Sequence, residues 1–286
     1  MGRTAAQIDR DFLRNKMYIK RFCVVTAHDL EFKTAAGLLS DSRYYDDAQV
    51  NVCQGSFGNL QVTVLKSGVG AFGFANRLSA HLQNNRYEAL MVAGVAGALD
   101  PQIKTGDAVV FNKCYNARAD RNGSHSGDVG LGRGNNAVIA CDDKLSQFVA
   151  EGLRSSGATC FRGAGVTVDR IITSAREKVA LGKRYLAAAV DMETYDCLSV
   201  CAHFGLSATA LRVVSDDAVS DLPDFNRALI REGREWRMSK WRMASAIMIN
   251  PINSARFLLS ISRVLDSLRT NLNTIYSASG RRELDY

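Results

Sequence analysis

Proline is scarce in this 286-residue chain, which has 3 against 23 glycines. Few prolines leave long stretches free to form helices and strands, and glycine supplies the positive φ angles of tight turns. Collagen-like and low-complexity architectures are excluded. CxxC pairs are missing too: the seven cysteines, Cys23, Cys53, Cys114, Cys141, Cys160, Cys197 and Cys201, are odd in number and fall mostly within apolar runs. A disulfide framework is therefore not expected, and a reducing, cytoplasmic compartment is. Cys197 and Cys201 could share a helix face, but no second His or Cys pair at matching spacing completes a tetrahedral metal set. They read as buried structural thiols, and no metal is expected. No apolar run reaches the ~18 residues that span a bilayer. The opening MGRTAAQIDRDFLRNKMYIKRF is charged throughout, where a signal peptide would be apolar.

What is present is a 47% hydrophobic composition, enough to fill a core and to exclude disorder. The formal charge of +7 suits an anionic partner without choosing one. Much of the excess lies late in the chain, in Arg231, Arg234, Arg237, Lys240, Arg242, Arg256, Arg263 and Arg269.

From Phe22 onward, short apolar runs alternate with helical-period stretches. The runs are FCVVTA (22–27), LQVTVLKSG (60–68), ALMVAGVAG (89–97), GDAVVF (106–111), GAGVTVDRIITS (163–174), AAAVDME (187–193) and SATALRVVSD (207–216). This rhythm predicts an α/β fold with a central mixed, largely parallel sheet flanked by helices. Residues 73–86 and 193–204 carry the spacing of one-sided helices, and the glycine-rich 116–136 reads as a surface loop. We expect an extension over 1–21, a catalytic domain over 22–230, and an appended basic amphipathic helical tail over 231–286.

Acids gather where the apolar runs end, and open α/β sheets bind ligands at that edge. Asp29 and Glu31 follow the first run; position alone favours a helix-capping role for both. SGVG (67–70) and AGVAGALD (93–100) let backbone N–H groups approach a ligand, although neither completes a phosphate-binding fingerprint and tight turn packing accounts for each as well. VDMETYD (190–196) exposes Asp191, Met192 and Glu193 at a strand–helix junction. A thioether beside a carboxylate suits the apolar face and hydroxyls of a ribose; the alternative is a helix start with a buried Met. LRVVSDDA (211–218) ends in Ser215, Asp216 and Asp217.

In order and content, VVTAHDLE, SGVGAFGFANRL, VAGVAGALDPQIKTGDAVV, VDMETYDCLSVCAHFGL and LRVVSDDA resemble the purine nucleoside phosphorylase and 5′-methylthioadenosine/S-adenosylhomocysteine nucleosidase superfamily, over roughly residues 22–220. AGVAGALDP, VDME and Pro251 followed by an arginine-bearing helix look most like its hopanoid-associated branch, whose members are thought to remove adenine from adenosylhopane. The resemblance implies that Glu31 activates water, that Glu193 binds the ribose hydroxyls with Met192 packed beside it, and that Asp216, oriented by Ser215, protonates N7 of the departing adenine. Val95, Ala96 and Gly97 match the backbone turn beside base and sugar, and Ile171 with Ile172 takes the place where a Phe usually stacks on the base. Homo-oligomers are common among such relatives, no nucleic-acid partner is implied, and no cofactor is expected beyond phosphate as co-substrate of a phosphorylase.

The chemistry is consistent in itself. Adenine leaves readily only when protonated, which needs an acid, and the sugar develops positive charge that carboxylates stabilise. A further carboxylate positions the attacking water. The arginine expected of a phosphorylase just before the second glycine turn is absent, Ala93 standing there, so hydrolysis is favoured over phosphorolysis. A non-catalytic nucleoside-binding or membrane-surface protein is the alternative from another class, and the presence of Asp216 counts against it. REWRMSKWRM (234–243) mixes two Trp, two Met and four basic residues. Either it packs as a helix on the domain, or it supports peripheral contact with the inner face of the membrane through residues 234–276, which would suit a lipid-linked adenosyl substrate.

Overall fold

The computed structural model describes residues 17–69, 73–118, 137–222 and 260–280 in full, and the backbone of 229–232, 235–238 and 251–259. The expected loop after residue 118, the start of the N-terminal extension and most of 234–243 lie outside the described residues.

The chain runs β1 (Arg21–Thr26), α1 (Asp29–Ala36), β2 (Ser40–Asp47), β3 (Val50–Phe57), β4 (Leu60–Lys66), α2 (Phe74–Asn84), β5 (Ala89–Ala98), β6 (Ala108–Asn116) and β7 (Val138–Ala140). It continues with α3 (Asp143–Ser155), β8 (Cys160–Thr167), α4 (Ala175–Tyr185), β9 (Ala187–Asp191), α5 (Thr194–His203), β10 (Ser207–Asp216), β11 (Leu229–Glu232), β12 (Glu235–Met238) and α6 (Pro251–Ser279). The expected α/β architecture is present. One half of the sheet runs β2-β3-β4-β1-β5, with β1 parallel to both β4 and β5. The other half closes on itself: β5 pairs with β10, β10 with β6, β6 with β8, β8 with β9, and β9 returns to β5.

Period-two alternation places the core on both faces of the sheet. Phe22 and Val24 of β1 join one apolar cluster with Phe32 of α1, Phe148 of α3 and Leu268, Leu272 and Tyr276 of α6. Cys23 and Val25 join the opposite one with Leu78 of α2 and Cys197, Leu198 and Cys201 of α5. Burial accordingly pushes the Cys201 thiol up to about 12 and that of Cys197 well above its usual value. Among the described residues no three His, Cys, Asp or Glu side chains gather as a metal site.

The structure differs from the sequence reading in two places. The run 163–174 is strand only to Thr167; Ile171 and Ile172 lie in the segment that leads to α4. Residues 235–238 form strand β12, antiparallel to β11, and not a helix; the charged–apolar alternation Glu-Trp-Arg-Met has the period of a strand. The expected C-terminal helix follows, and its apolar side packs on the core: Val264, Leu268, Leu272, Ile275 and Tyr276 have no exposed surface. That stripe is occupied by the core and is not available to a membrane. Among the described residues no helix is long and apolar enough to cross one.

Candidate active site

The site forms where β1, β5, β9 and β10 end. The chain leaves β1 into α1 through a reciprocal cap: the His28 side chain accepts from the Leu30 N–H, and the Glu31 carboxylate reaches back to the cap backbone. Glu31 Oε2 accepts from the N–H groups of Ala27 (2.9 Å) and His28 (2.8 Å), and Oε1 from that of Val95 on β5 (2.8 Å). Capping and a place in the site are therefore compatible, because one helix start fastens Glu31, 3% exposed, against β5. Asp29 goes the other way. It is exposed and paired with Lys66 at 2.9 Å, a hydrogen bond that holds its carboxyl below the usual range.

Arg212 sits in the middle of β10, fully buried, and organises the acids. Its Nη2 lies 2.6 Å from Asp191 Oδ2 and 3.7 Å from Glu193 Oε2, and donates to Thr194 Oγ1 at 2.7 Å. Burial alone would push the guanidinium down; the carboxylates of Asp191, Glu193 and Glu31 outweigh it and hold it above its usual value. Thr167 at the end of β8 donates to Asp191 Oδ1 at 2.6 Å and accepts from the Tyr195 N–H. Asp191 is thus consumed by internal partners, while Glu193 stands at the first position outside α5.

β10 ends in a bulge: Val214 and Asp216 pair with Ala96 and Gly97, which leaves Ser215 as the extra residue. A bulge re-aims side chains. Here Ser215 Oγ lies 2.6 Å from Asp216 Oδ1 and 3.2 Å from the Ala96 carbonyl. Gly97 lets the strand pass close to the acid: a Cβ there would lie 3.2 Å from Asp216 Oδ2 and 3.3 Å from Val190, a tight contact. A third partner comes from α4: Lys178 Nζ is 2.6 Å from Asp216 Oδ2.

An apolar wall adjoins these groups, formed by Met192, Ile172, Val166, Val168 and Val190 with Ile171, Val69 and Tyr115 packed against it. The structure therefore brings Glu31, Val95, Ala96, Gly97, Met192, Glu193, Ser215 and Asp216 to one set of strand ends, with Ile171 and Ile172 on the adjoining wall. Sequence reasoning missed Arg212, Thr167, Thr194 and Lys178. It also missed Arg118, whose guanidinium pairs with Asp196 at 2.7 Å and donates to the Met192 carbonyl at 2.6 Å, tying the end of β6 to the acidic motif. The signal for Arg212 was a charge inside a β-branched run; Lys178 and Arg118 had none.

Four carboxylates, those of Glu31, Asp191, Glu193 and Asp216, face two cations, Arg212 and Lys178. Such a site favours a substrate that becomes positive as it reacts.

The phosphorylase superfamily, as a family, matches residues 21–249. Among solved structures, the chain is similar to the Campylobacter jejuni 5′-methylthioadenosine/S-adenosylhomocysteine nucleosidase, with a TM-score of 0.66 and 19% identity over 91% of this chain and 99% of that one. The Neisseria meningitidis nucleosidase of the same name, in complex with methylthio-immucillin-A, is similar at a TM-score of 0.66 and 19% identity, over 90% and 99%. Futalosine hydrolase of Helicobacter pylori is similar at 0.61 and 19%, over 85% and 97%. At these identities the likeness to solved structures speaks for the fold.

Proposed function

Because this chain belongs to the phosphorylase superfamily and is an enzyme acting on N-glycosidic bonds, we propose that it is a purine nucleosidase that hydrolyses an adenosyl compound and releases adenine. The carrying observation is the meeting of Asp216, held by Ser215 against Gly97, with Glu31 and Glu193 at the same strand ends.

In this reading the C1′–N9 bond breaks with its electron pair passing into the purine, and Asp216 gives a proton to N7, so that adenine departs neutral. Glu193 accepts from the ribose hydroxyls and Met192 packs on the sugar. Water adds to C1′ and loses a proton to Glu31. A carboxylate offers about four lone-pair sites. Backbone N–H groups fill two on Oε2 of Glu31 and one on Oε1, so Oε1 keeps one for the water. Lys66, the nearby base that could have held phosphate, is engaged by Asp29, which supports water as the nucleophile.

The substrate in this reading is adenosylhopane or a small thioadenosine such as 5′-methylthioadenosine. The enzyme is a homo-oligomer, and the basic residues between Arg231 and Arg242 meet anionic lipid if the substrate is lipid-linked.

Incubation with 5′-methylthioadenosine, adenosine or an adenosylated lipid, with and without phosphate, tests the reading through free adenine. Release without phosphate is the expected result; strict dependence on phosphate makes the enzyme a phosphorylase. Asp216→Asn and Glu31→Gln should each lower kcat by about 10²–10⁴-fold with folding intact. Native-like activity in both variants would remove the site from consideration.

A further inference from the structure

Lys178 has no exposed surface, yet α4 carries it on a helix that could bury Leu or Met there at no electrostatic cost. Its Nζ meets three oxygen atoms: Asp216 Oδ2 at 2.6 Å, the Ser220 carbonyl at 3.0 Å and the Asp217 carbonyl at 3.1 Å. The two carbonyls accept hydrogen bonds from the ammonium, while Asp216 Oδ2, buried and without a hydrogen bond of its own, faces it as an ion pair.

The neighbouring charges have other partners. Asp217 accepts from Thr105, Asp221 from the Ala175 N–H, Glu177 pairs with Arg170, and Arg212 faces Asp191 and Glu193. Asp216 is the carboxylate that meets this ammonium.

We propose that Lys178 is a positioning residue for the reaction: a fixed counter-ion for the carboxylate that Asp216 becomes once its proton has gone to the leaving purine. This rests on the reading of Asp216 as the acid. When Asp216 gives up its proton, a further negative charge is created beside Glu31, Asp191 and Glu193. Arg212 is already committed to two of these acids, so the charge created on Asp216 is compensated from α4. Lys178 stays an ammonium throughout and exchanges no proton; Asp216 regains its own from solvent after adenine leaves. The two carbonyls that hold Lys178 come from the segment directly after β10, so the same side chain fixes the exit of that strand.

The test compares kcat/KM against pH for 5′-methylthioadenosine and for 4-nitrophenyl β-ribofuranoside, whose leaving group needs no proton. The proteins are the native enzyme, Lys178→Met, Lys178→Gln, Lys178→Arg and Asp216→Asn. Loss of the ammonium should cut adenine release by about tenfold or more and move the alkaline limb of the profile up by about one pH unit, since Asp216 then keeps its proton to higher pH. Nitrophenol release should stay within about threefold, and Lys178→Arg should return the limb toward its native position. Lys178→Gln keeps a donor for the carbonyls and serves where Met does not fold. Equal losses on both substrates with an unmoved limb would overturn the proposal while leaving Asp216 as the acid. Native-like adenine release by Asp216→Asn would instead overturn the reading of Asp216 as the acid, and the role of Lys178 with it.

Discussion

Gly94 occupies the tightest point between the two sides of the site. A Cβ there would lie 2.5 Å from Glu31 Oε1 and 2.8 Å from Arg212 Nη1, both inside van der Waals contact. Gly94→Ala should displace Glu31 from the Val95 N–H and, with Glu31 in its proposed role, misplace the attacking water, costing about tenfold or more in kcat with an unchanged far-UV circular dichroism spectrum. A variant with native kcat would mean that Glu31 moves without consequence. The acids of this region were readable because each stands where an apolar run ends, which marks a strand's carboxyl edge without any coordinates. Their partners were not. Lys178 is one of four basic residues between Arg176 and Arg184, and nothing in that local pattern distinguishes the buried one from those in water. Thr167 acts through Asp191 and Tyr195, and Thr194 joins the nearby Asp191 to the distant Arg212; a hydroxyl carries no sign of its bonding partner.

Among the elements, α2 is pinned to the β2–β3 hairpin by His81, which has no exposed surface. Its Nδ1 lies 2.5 Å from Asp47 Oδ2 and its Nε2 2.8 Å from the Tyr87 hydroxyl. Burial pushes the imidazole below its usual value, against the pull of Asp47. As pH falls, the unfolded chain therefore takes up this proton first, near about 6.5. The stability contributed by His81 is present above that pH and is lost as pH falls through the lowered native value. Melting temperatures from pH 8 to pH 5 should decline more steeply for the native protein than for His81→Gln; parallel curves would remove His81 as a source of the slope. This hairpin was also the part of the fold that the sequence concealed. β2 is exposed along nearly its whole length and so has no apolar face to alternate, whereas β1, β5 and β10 are buried on both faces and read as continuous apolar runs.

At the scale of the whole molecule, α6 closes one face of the core. The Tyr276 ring makes edge contacts with Phe22 and Phe57, at centroid distances of 6.3 and 5.6 Å. Each large side chain that α6 buries contributes on the order of 1.5–3 kcal/mol, and a domain's net stability is only about 5–15 kcal/mol. Removal of residues 251–286 should therefore abolish cooperative melting and produce strong binding of a hydrophobic dye; a truncated chain that melts cooperatively would show that the helix is dispensable. The heptad-like spacing of α6 was legible, but which surface it would cover was not, because an amphipathic stripe fits a core and a lipid interface equally well. The closed circuit of strands has a further consequence, for the order in which the molecule assembles. Ser215 and Ala96, joined across β10 and β5, are 119 positions apart in the sequence, whereas the β2–β3–β4 meander pairs near neighbours. Long loops must close before such distant contacts give any return. A refolding chain should recover its helices and the meander first and its catalytic activity last, since β10 brings Arg212, Ser215 and Asp216 into place only when the ring shuts.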